Sequence, residues 1–244
     1  KRYRVAFLAD DGSRVNGILA MPGDEPAPAS LAIALHPMGS DQSIWWRAGK
    51  PLFGGEITAR LRQRGHAVLA LDARWHGERG VDGVGPRDLL AFAHGENPRP
   101  YHQVIVDSVR DYRLALKWAE RQDDLDTRNV FVVGYSMGAQ MSLLLAAAES
   151  RVTSVLAMVP PYVGRRHSPV APRNHVGAIT DASVMLIAGR EDPYSSRAQT
   201  EQVFATIPSP DKELALLPGG HLLPESYVNV ALSYVDERTG VERR

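Results

Sequence analysis

A buried strand that has to reverse into a helix within one tight turn constrains this chain more than any other feature. Val130, Phe131, Val132 and Val133 are followed by Gly134-Tyr135-Ser136-Met137-Gly138 and then by the Ala/Leu-rich run from Ala139 to Glu149. The first four residues, rich in β-branched valine, read as a strand covered on both faces, and Met137 to Glu149 reads as a helix. The flanking glycines mark a reversal so close that a Cβ at position 134 or 138 would collide with the neighbouring strand or helix. Ser136 is thereby pushed out over the helix N-terminus, where unpaired N–H groups and the helix dipole favour a developing negative charge.

The pentapeptide fits G-x-S-x-G, the nucleophile elbow, in the strand-turn-helix context that this motif requires. A serine hydroxyl alone is a weak nucleophile and needs a base held in place by a third group. The strand expected over Val184 to Ala188 runs into Gly189-Arg190-Glu191-Asp192-Pro193, and the strand over Glu213 to Leu217 runs into Pro218-Gly219-Gly220-His221. Acid and imidazole thus fall at strand ends, as Ser136 does. Position alone leaves two acids open, since Asp192 is also placed to cap a helix beginning near Ser195 and Glu191 stands beside it. The order serine, acid, histidine differs from that of chymotrypsin-like and subtilisin-like enzymes.

Taken in order, Tyr3 to Ala9 and Val15 to Met21 are β-prone segments around the turn cluster Asp10-Asp11-Gly12-Ser13, which predicts an antiparallel hairpin. A polar, proline-bearing loop over Pro22 to Ser30 leads to a strand over Leu31 to Leu35 and then to His36-Pro37-Met38-Gly39-Ser40. Phe53 to Gly65 has helical spacing, and Ala67 to Leu71 is another buried strand. Glycines and prolines predict irregular excursions near 79–101, a place for a lid, and near 161–182. Val104 to Arg121 is helical, Asp123 to Asn129 is a polar loop, and Val155 to Val159 is a strand stopped by Pro160-Pro161. A helix over Ser196 to Ile207 and a closing helix over Glu225 to Val235 complete a mostly parallel sheet with helices on both faces.

The elbow, the order of its partners and the strand-helix alternation together resemble the α/β-hydrolase superfamily over nearly the whole chain. The small size and the segment Asp72-x-Arg74-x-His76-Gly77 are similar to the dienelactone hydrolase-like and acetyl esterase-like branch. Typical dienelactone hydrolases have cysteine at the elbow, so their lactone substrate is not carried over to Ser136. The resemblance implies one α/β-hydrolase domain over 1–244 with no large cap, and a catalytic triad of Ser136, Asp192 and His221. It also implies an oxyanion hole formed by the N–H groups of Met38 and Met137. The expected activity is hydrolysis of small to medium carboxylic esters through an acyl-enzyme on Ser136, without a cofactor. A peptidase or amidase, a lyase or perhydrolase, and a ligand-sensing receptor with little turnover remain open.

Trp45 and Trp46 follow the Met38 segment closely, and are expected either to form an aromatic wall for the substrate or to pack in the core. His36 is expected to organise its loop, and His76, with Asp72 and Arg74, to form a hydrogen-bonded scaffold. His94, His102, His167 and His175 fall in or beside the excursions without the spacing of a metal motif, so no metal is expected. Arg165, Arg166 and Arg173 are either solvated or facing an anionic substrate.

Lys and Arg number 28 and Asp and Glu number 28, giving zero formal charge and no basic field for nucleic acid. No apolar run approaches the roughly 18 residues that would suggest a membrane span. Cysteine is absent, which excludes disulfides, zinc-thiolate sites and a cysteine nucleophile. The opening on Lys1 hints at a removed leader or tag, leaving cytoplasm and export both open; oligomeric state is also open.

Overall fold

The alternation along each central strand sorts side chains onto two hydrophobic layers. In β3 (Ala29–Leu35), Leu31, Ile33 and Leu35 join one layer while Ala32 and Ala34 join the other. In β5 (Leu125–Tyr135), Val130 and Val132 point to the first layer, and Phe131, Val133 and Tyr135 to the second. Because both faces are covered there, Leu31–Leu35 and Val130–Val133 are apolar without interruption rather than alternating with polar residues. Full burial of each large aliphatic side chain stabilises the fold by about 1.5–3 kcal/mol before conformational entropy is counted.

The computed structural model describes residues 1–23 and 28–239. Its eight-stranded sheet begins with the hairpin β1 (Arg2–Leu8) and β2 (Arg14–Ala20) and continues with β4 (His66–Leu71), β3 and β5. The far side is built from β6 (Val152–Met158), β7 (Ser183–Gly189) and β8 (Lys212–Leu217). β2 is antiparallel to both β1 and β4, and the strands from β4 to β8 are parallel. Helices α1 (Gly54–Gln63) and α6 (Tyr227–Thr239) cover one face through Ile57, Leu61, Tyr227 and Val235. Helices α3 (Arg99–Ala119), α4 (Met137–Ala148) and α5 (Arg197–Thr206) cover the other through Ile105, Leu116, Met141, Leu145 and Val203.

Three local expectations change. The excursion near 79–101 contains a helix, α2 (Pro86–His94). Pro86 occupies the first helical turn, where its missing N–H costs nothing, and the Asp88 carboxylate accepts the Gly85 N–H at 2.7 Å. The proline that reads as a breaker is therefore a helix start. The polar stretch Asp123–Asn129 is not wholly a loop, because β5 begins at Leu125, which pairs with Ala29 before a register shift. Its polarity reflects a half-exposed strand start, where Arg128 closes on the Asp126 carboxylate at 2.7 Å. Finally, β3 starts at Ala29, inside the loop expected over 22–30, of which 24–27 lie outside the described residues. The excursion near 161–182 has short 3-10 turns at Pro172–Asn174 and Val176–Ala178 and is otherwise irregular.

Candidate active site

The reversal after β5 is as tight as its glycines require. A Cβ on Gly134 would lie 2.3 Å from the Gly138 carbonyl oxygen, and one on Gly138 would lie 2.0 Å from that of Leu35. Between them Ser136 adopts φ 54° and ψ −119°, a conformation that costs an L-residue about 1–3 kcal/mol and persists only when its surroundings hold it. The Ser136 N–H donates to the Met158 carbonyl at 2.9 Å, and its own carbonyl accepts from Gln140 at 3.0 Å. β6 and α4 thus grip the backbone while the side chain stays half-exposed at the mouth of a cavity.

Ser136 Oγ lies 2.7 Å from His221 Nε2, and His221 Nδ1 lies 2.8 Å from Asp192 Oδ2. With the proton on Nδ1, the histidine donates to the carboxylate and leaves Nε2 to accept the serine proton. The Asp192 side chain is 1% exposed, and its other oxygen accepts the Tyr194 N–H at 2.8 Å. Helix capping falls to Ser196, whose hydroxyl accepts from Gln199. Glu191 faces elsewhere: its carboxylate accepts the Gly219 N–H at 2.6 Å and fastens the acid-bearing turn to the histidine loop.

Tyr135, buried beside the serine, holds that loop from the other end. Its hydroxyl donates to the His221 carbonyl at 2.8 Å and accepts the Leu223 N–H at 3.0 Å. Burial pushes the phenol up to about 12, so it remains a donor. Met38 and Met137 both line the cavity, and among the described residues neither N–H has a hydrogen-bond partner.

His36 organises the segment before Met38. Its Nε2 accepts the Ala73 N–H at 3.0 Å, and its Nδ1 donates to the Pro37 carbonyl at 2.8 Å, an arrangement available only to the neutral ring. Burial, and then the neighbouring His76, push its pKa down to about 4 from the ordinary 6.5. The unfolded chain therefore takes up a proton first, and stability falls as pH drops through this window. We expect a loss of about 3 kcal/mol from this residue between pH 6.5 and pH 4. Urea titrations across that range should show the slope, and His36→Gln should remove that share of it; an unchanged slope in the variant would refute the assignment.

The segment after β4 is a hydrogen-bonded frame. The Asp72 carboxylate accepts the N–H groups of Gln42 and Glu78, Arg74 pairs with Asp111 at 2.7 Å, and His76 Nδ1 donates to the Arg74 carbonyl at 2.8 Å.

The cavity has a volume of about 490 Å³. Its walls come from Pro86, Leu90, Ala93 and His94 of α2, from Tyr101 of α3, from 161–165, and from Tyr194. Tyr101 is fixed by donating to the buried Gln140 at 2.5 Å, and Tyr194 meets the His221 ring edge-on with centroids 4.6 Å apart. Tyr101, Tyr135, Tyr162 and Tyr194 escaped sequence reasoning, although Tyr135 and Tyr194 stand within two residues of Ser136 and Asp192.

Trp45 and Trp46 do not join the cavity, and the expected aromatic wall is made by the tyrosines instead. Trp45 is 1% exposed in the layer facing α1, on the opposite side of the sheet from the layer that holds Met137 and Tyr101. Thr58 donates to its carbonyl at 2.8 Å. Trp46 donates its indole N–H to Gln42 at 2.9 Å and lies under the Arg2 guanidinium. His94 is exposed but lines the cavity, His102 meets Ser168 at 3.0 Å, and His175 meets the Pro169 carbonyl at 2.9 Å. Among the described residues no group of three or more His, Cys, Asp or Glu could hold a metal, and no helix is long and apolar enough to cross a membrane.

Comparison with known proteins bears on the fold and the family. An uncharacterised Mycobacterium tuberculosis protein is 28% identical over 239 residues, covering 87% of this chain and 82% of its own length. An esterase from an Arctic intertidal metagenomic library superimposes with a TM-score of 0.75 at 20% identity, covering 97% of this chain and 93% of the esterase. A putative dienelactone hydrolase from Klebsiella pneumoniae does so with a TM-score of 0.73 at 15% identity, covering 98% of each chain. A model of the alpha/beta hydrolase family matches residues 32–182, a span that runs from β3 through the elbow to the end of the second excursion. That match covers more than half of the sequence, and the chain belongs to the alpha/beta hydrolase family.

Proposed function

We propose that this chain is a serine esterase acting on small to medium carboxylic esters. The observation that carries the reading is the unbroken line from Ser136 Oγ through His221 to the buried Asp192, at 2.7 and 2.8 Å, opening into a largely apolar cavity. Ser136 Oγ attacks the ester carbonyl as His221 takes its proton, and Asp192 stabilises the imidazolium in the required tautomer. The Met38 and Met137 N–H groups hold the oxyanion, the alcohol leaves with the proton from His221, and an acyl-enzyme remains. Water activated by His221 then releases the acid. Every proton in the cycle moves between groups of this chain, substrate and water, so the steps require no cofactor.

The esterase from the Arctic library supports this reading by its shape. A single catalytic domain without a large cap is part of the proposal, with α2 and 161–165 as the walls.

The test is steady-state turnover on 4-nitrophenyl esters of increasing acyl length beside the matching 4-nitroanilides. We expect repeated turnover on short and medium esters, decline once the acyl chain outgrows the cavity, and little action on the anilides. Absence of turnover beyond one equivalent with every ester would overturn the proposal in favour of a binding protein. Preference for the anilides would make it an amidase.

A further inference from the structure

The cavity wall carries a charge for which the hydrolytic steps have no use. Arg165 lines the cavity, and among the described residues neither Asp nor Glu does so. Its guanidinium donates to the Gly95 carbonyl, bridging the rim between 161–165 and the end of α2. A guanidinium has five N–H donors, so this bond leaves most of the planar fork available.

The surroundings do not neutralise it. Among the described residues Arg165, Arg166 and Arg173 form no ion pair, whereas Arg74, Arg151 and Arg238 are each paired with two carboxylates. Arg173 instead braces the wall, bonding to the Tyr162 hydroxyl and donating to the Gly164 carbonyl at 2.8 Å. The charge of Arg165 also reaches His102 at the start of α3, which is held below its ordinary pKa by burial first and then by this guanidinium. The result is an exposed guanidinium, without an ion pair among the described residues, on the rim of a cavity whose other walls are largely aromatic and aliphatic. Such a field attracts anions and is strengthened by low-dielectric walls.

We propose that the natural substrate is an ester bearing a carboxylate remote from the scissile carbonyl, and that Arg165 is the specificity-determining residue that binds this carboxylate. A single planar fork suits a carboxylate, which it can engage through two parallel N–H bonds. The apolar walls take the hydrocarbon between the two ends. This inference rests on the esterase reading above and narrows it.

The experiment compares 4-nitrophenyl monoesters of succinic, glutaric, adipic and pimelic acids with the corresponding methyl 4-nitrophenyl diesters, after subtracting spontaneous hydrolysis. The readout is the ratio of kcat/KM for the charged ester to that for its neutral partner. For the wild type this ratio should exceed one by about tenfold or more at the best chain length, and should fall with added salt. Arg165→Gln should lower the ratio by roughly 10- to 100-fold, and Arg165→Lys should restore part of it. A ratio at or below one at every chain length would overturn the proposal. So would an equal loss on both ester classes in Arg165→Gln, which would mark the arginine as a rim brace.

Calorimetry with glutarate and adipate separates this inference from the reading beneath it. If no ester is turned over, the esterase reading fails, while dicarboxylate binding by the wild type that is lost in Arg165→Gln still supports the anion site. Turnover of esters without charge preference and without dicarboxylate binding would sink the anion site alone.

Discussion

Replacing Ser136 by alanine is expected to lower kcat on an aryl ester by roughly 10⁴- to 10⁶-fold, and His221→Ala by a similar factor. The reason lies in their joint action. Without the hydroxyl, the imidazole 2.7 Å away has no proton to accept, and without the imidazole the hydroxyl remains a poor nucleophile. The double variant should therefore lose little more than either single one, because the second substitution removes a partner already idle. Residual activity would come from the Met38 and Met137 N–H groups and from cavity binding. Neither change empties a core position, since Ser136 and His221 are only partly buried, so melting temperatures should stay close to that of the wild type. Single-variant losses that multiply in the double variant would show that the two act separately, against the proposed mechanism.

Asp192→Asn is expected to lower kcat by about 10⁴-fold while Glu191→Gln changes it by less than about tenfold. Asp192 now accepts two N–H bonds, from His221 and from Tyr194. An amide offers one oxygen for both, so its NH₂ must face one of these donors. If it faces His221, the ring is driven to the other tautomer and presents an N–H to Ser136, where an acceptor is needed. Glu191→Gln keeps an oxygen for the Gly219 N–H and so retains the loop clasp. Kinetics on both variants with one good ester decide the matter. A severe loss in Glu191→Gln with near-normal Asp192→Asn would transfer the acid role to the neighbour.

The parts of the molecule legible from sequence are those governed by neighbouring residues. The Val130–Val133 run, the two glycines and the Ala/Leu-rich helix all act within one strand-turn-helix unit, so their geometry is written locally. Asp192 and His221 were legible as strand-end residues because the strands before them close on apolar runs, Val184–Ala188 and Leu214–Leu217. Choosing between Glu191 and Asp192 needed the resemblance, since both lie in one turn and only the fold decides which carboxylate is buried against His221. The cavity walls were not legible. They join α2, the start of α3, 161–165 and Tyr194, which are far apart in sequence and carry no common pattern. Trp45 misled for a related reason: closeness to Met38 in sequence says nothing about which side of the sheet a large ring enters.

The origin of those walls bears on how descendants of such a chain can change. Ser136, Asp192 and His221 hang from strand ends and are braced by one another's loops, whereas much of the cavity wall belongs to α2 and to 161–165, two connections outside the sheet. Drift in those connections would alter what the cavity admits while leaving Ser136, Asp192 and His221 in register. Under the proposed esterase mechanism, insertion, deletion or exchange of those connecting segments would change the substrate range without displacing the strand-end groups that carry the chemistry.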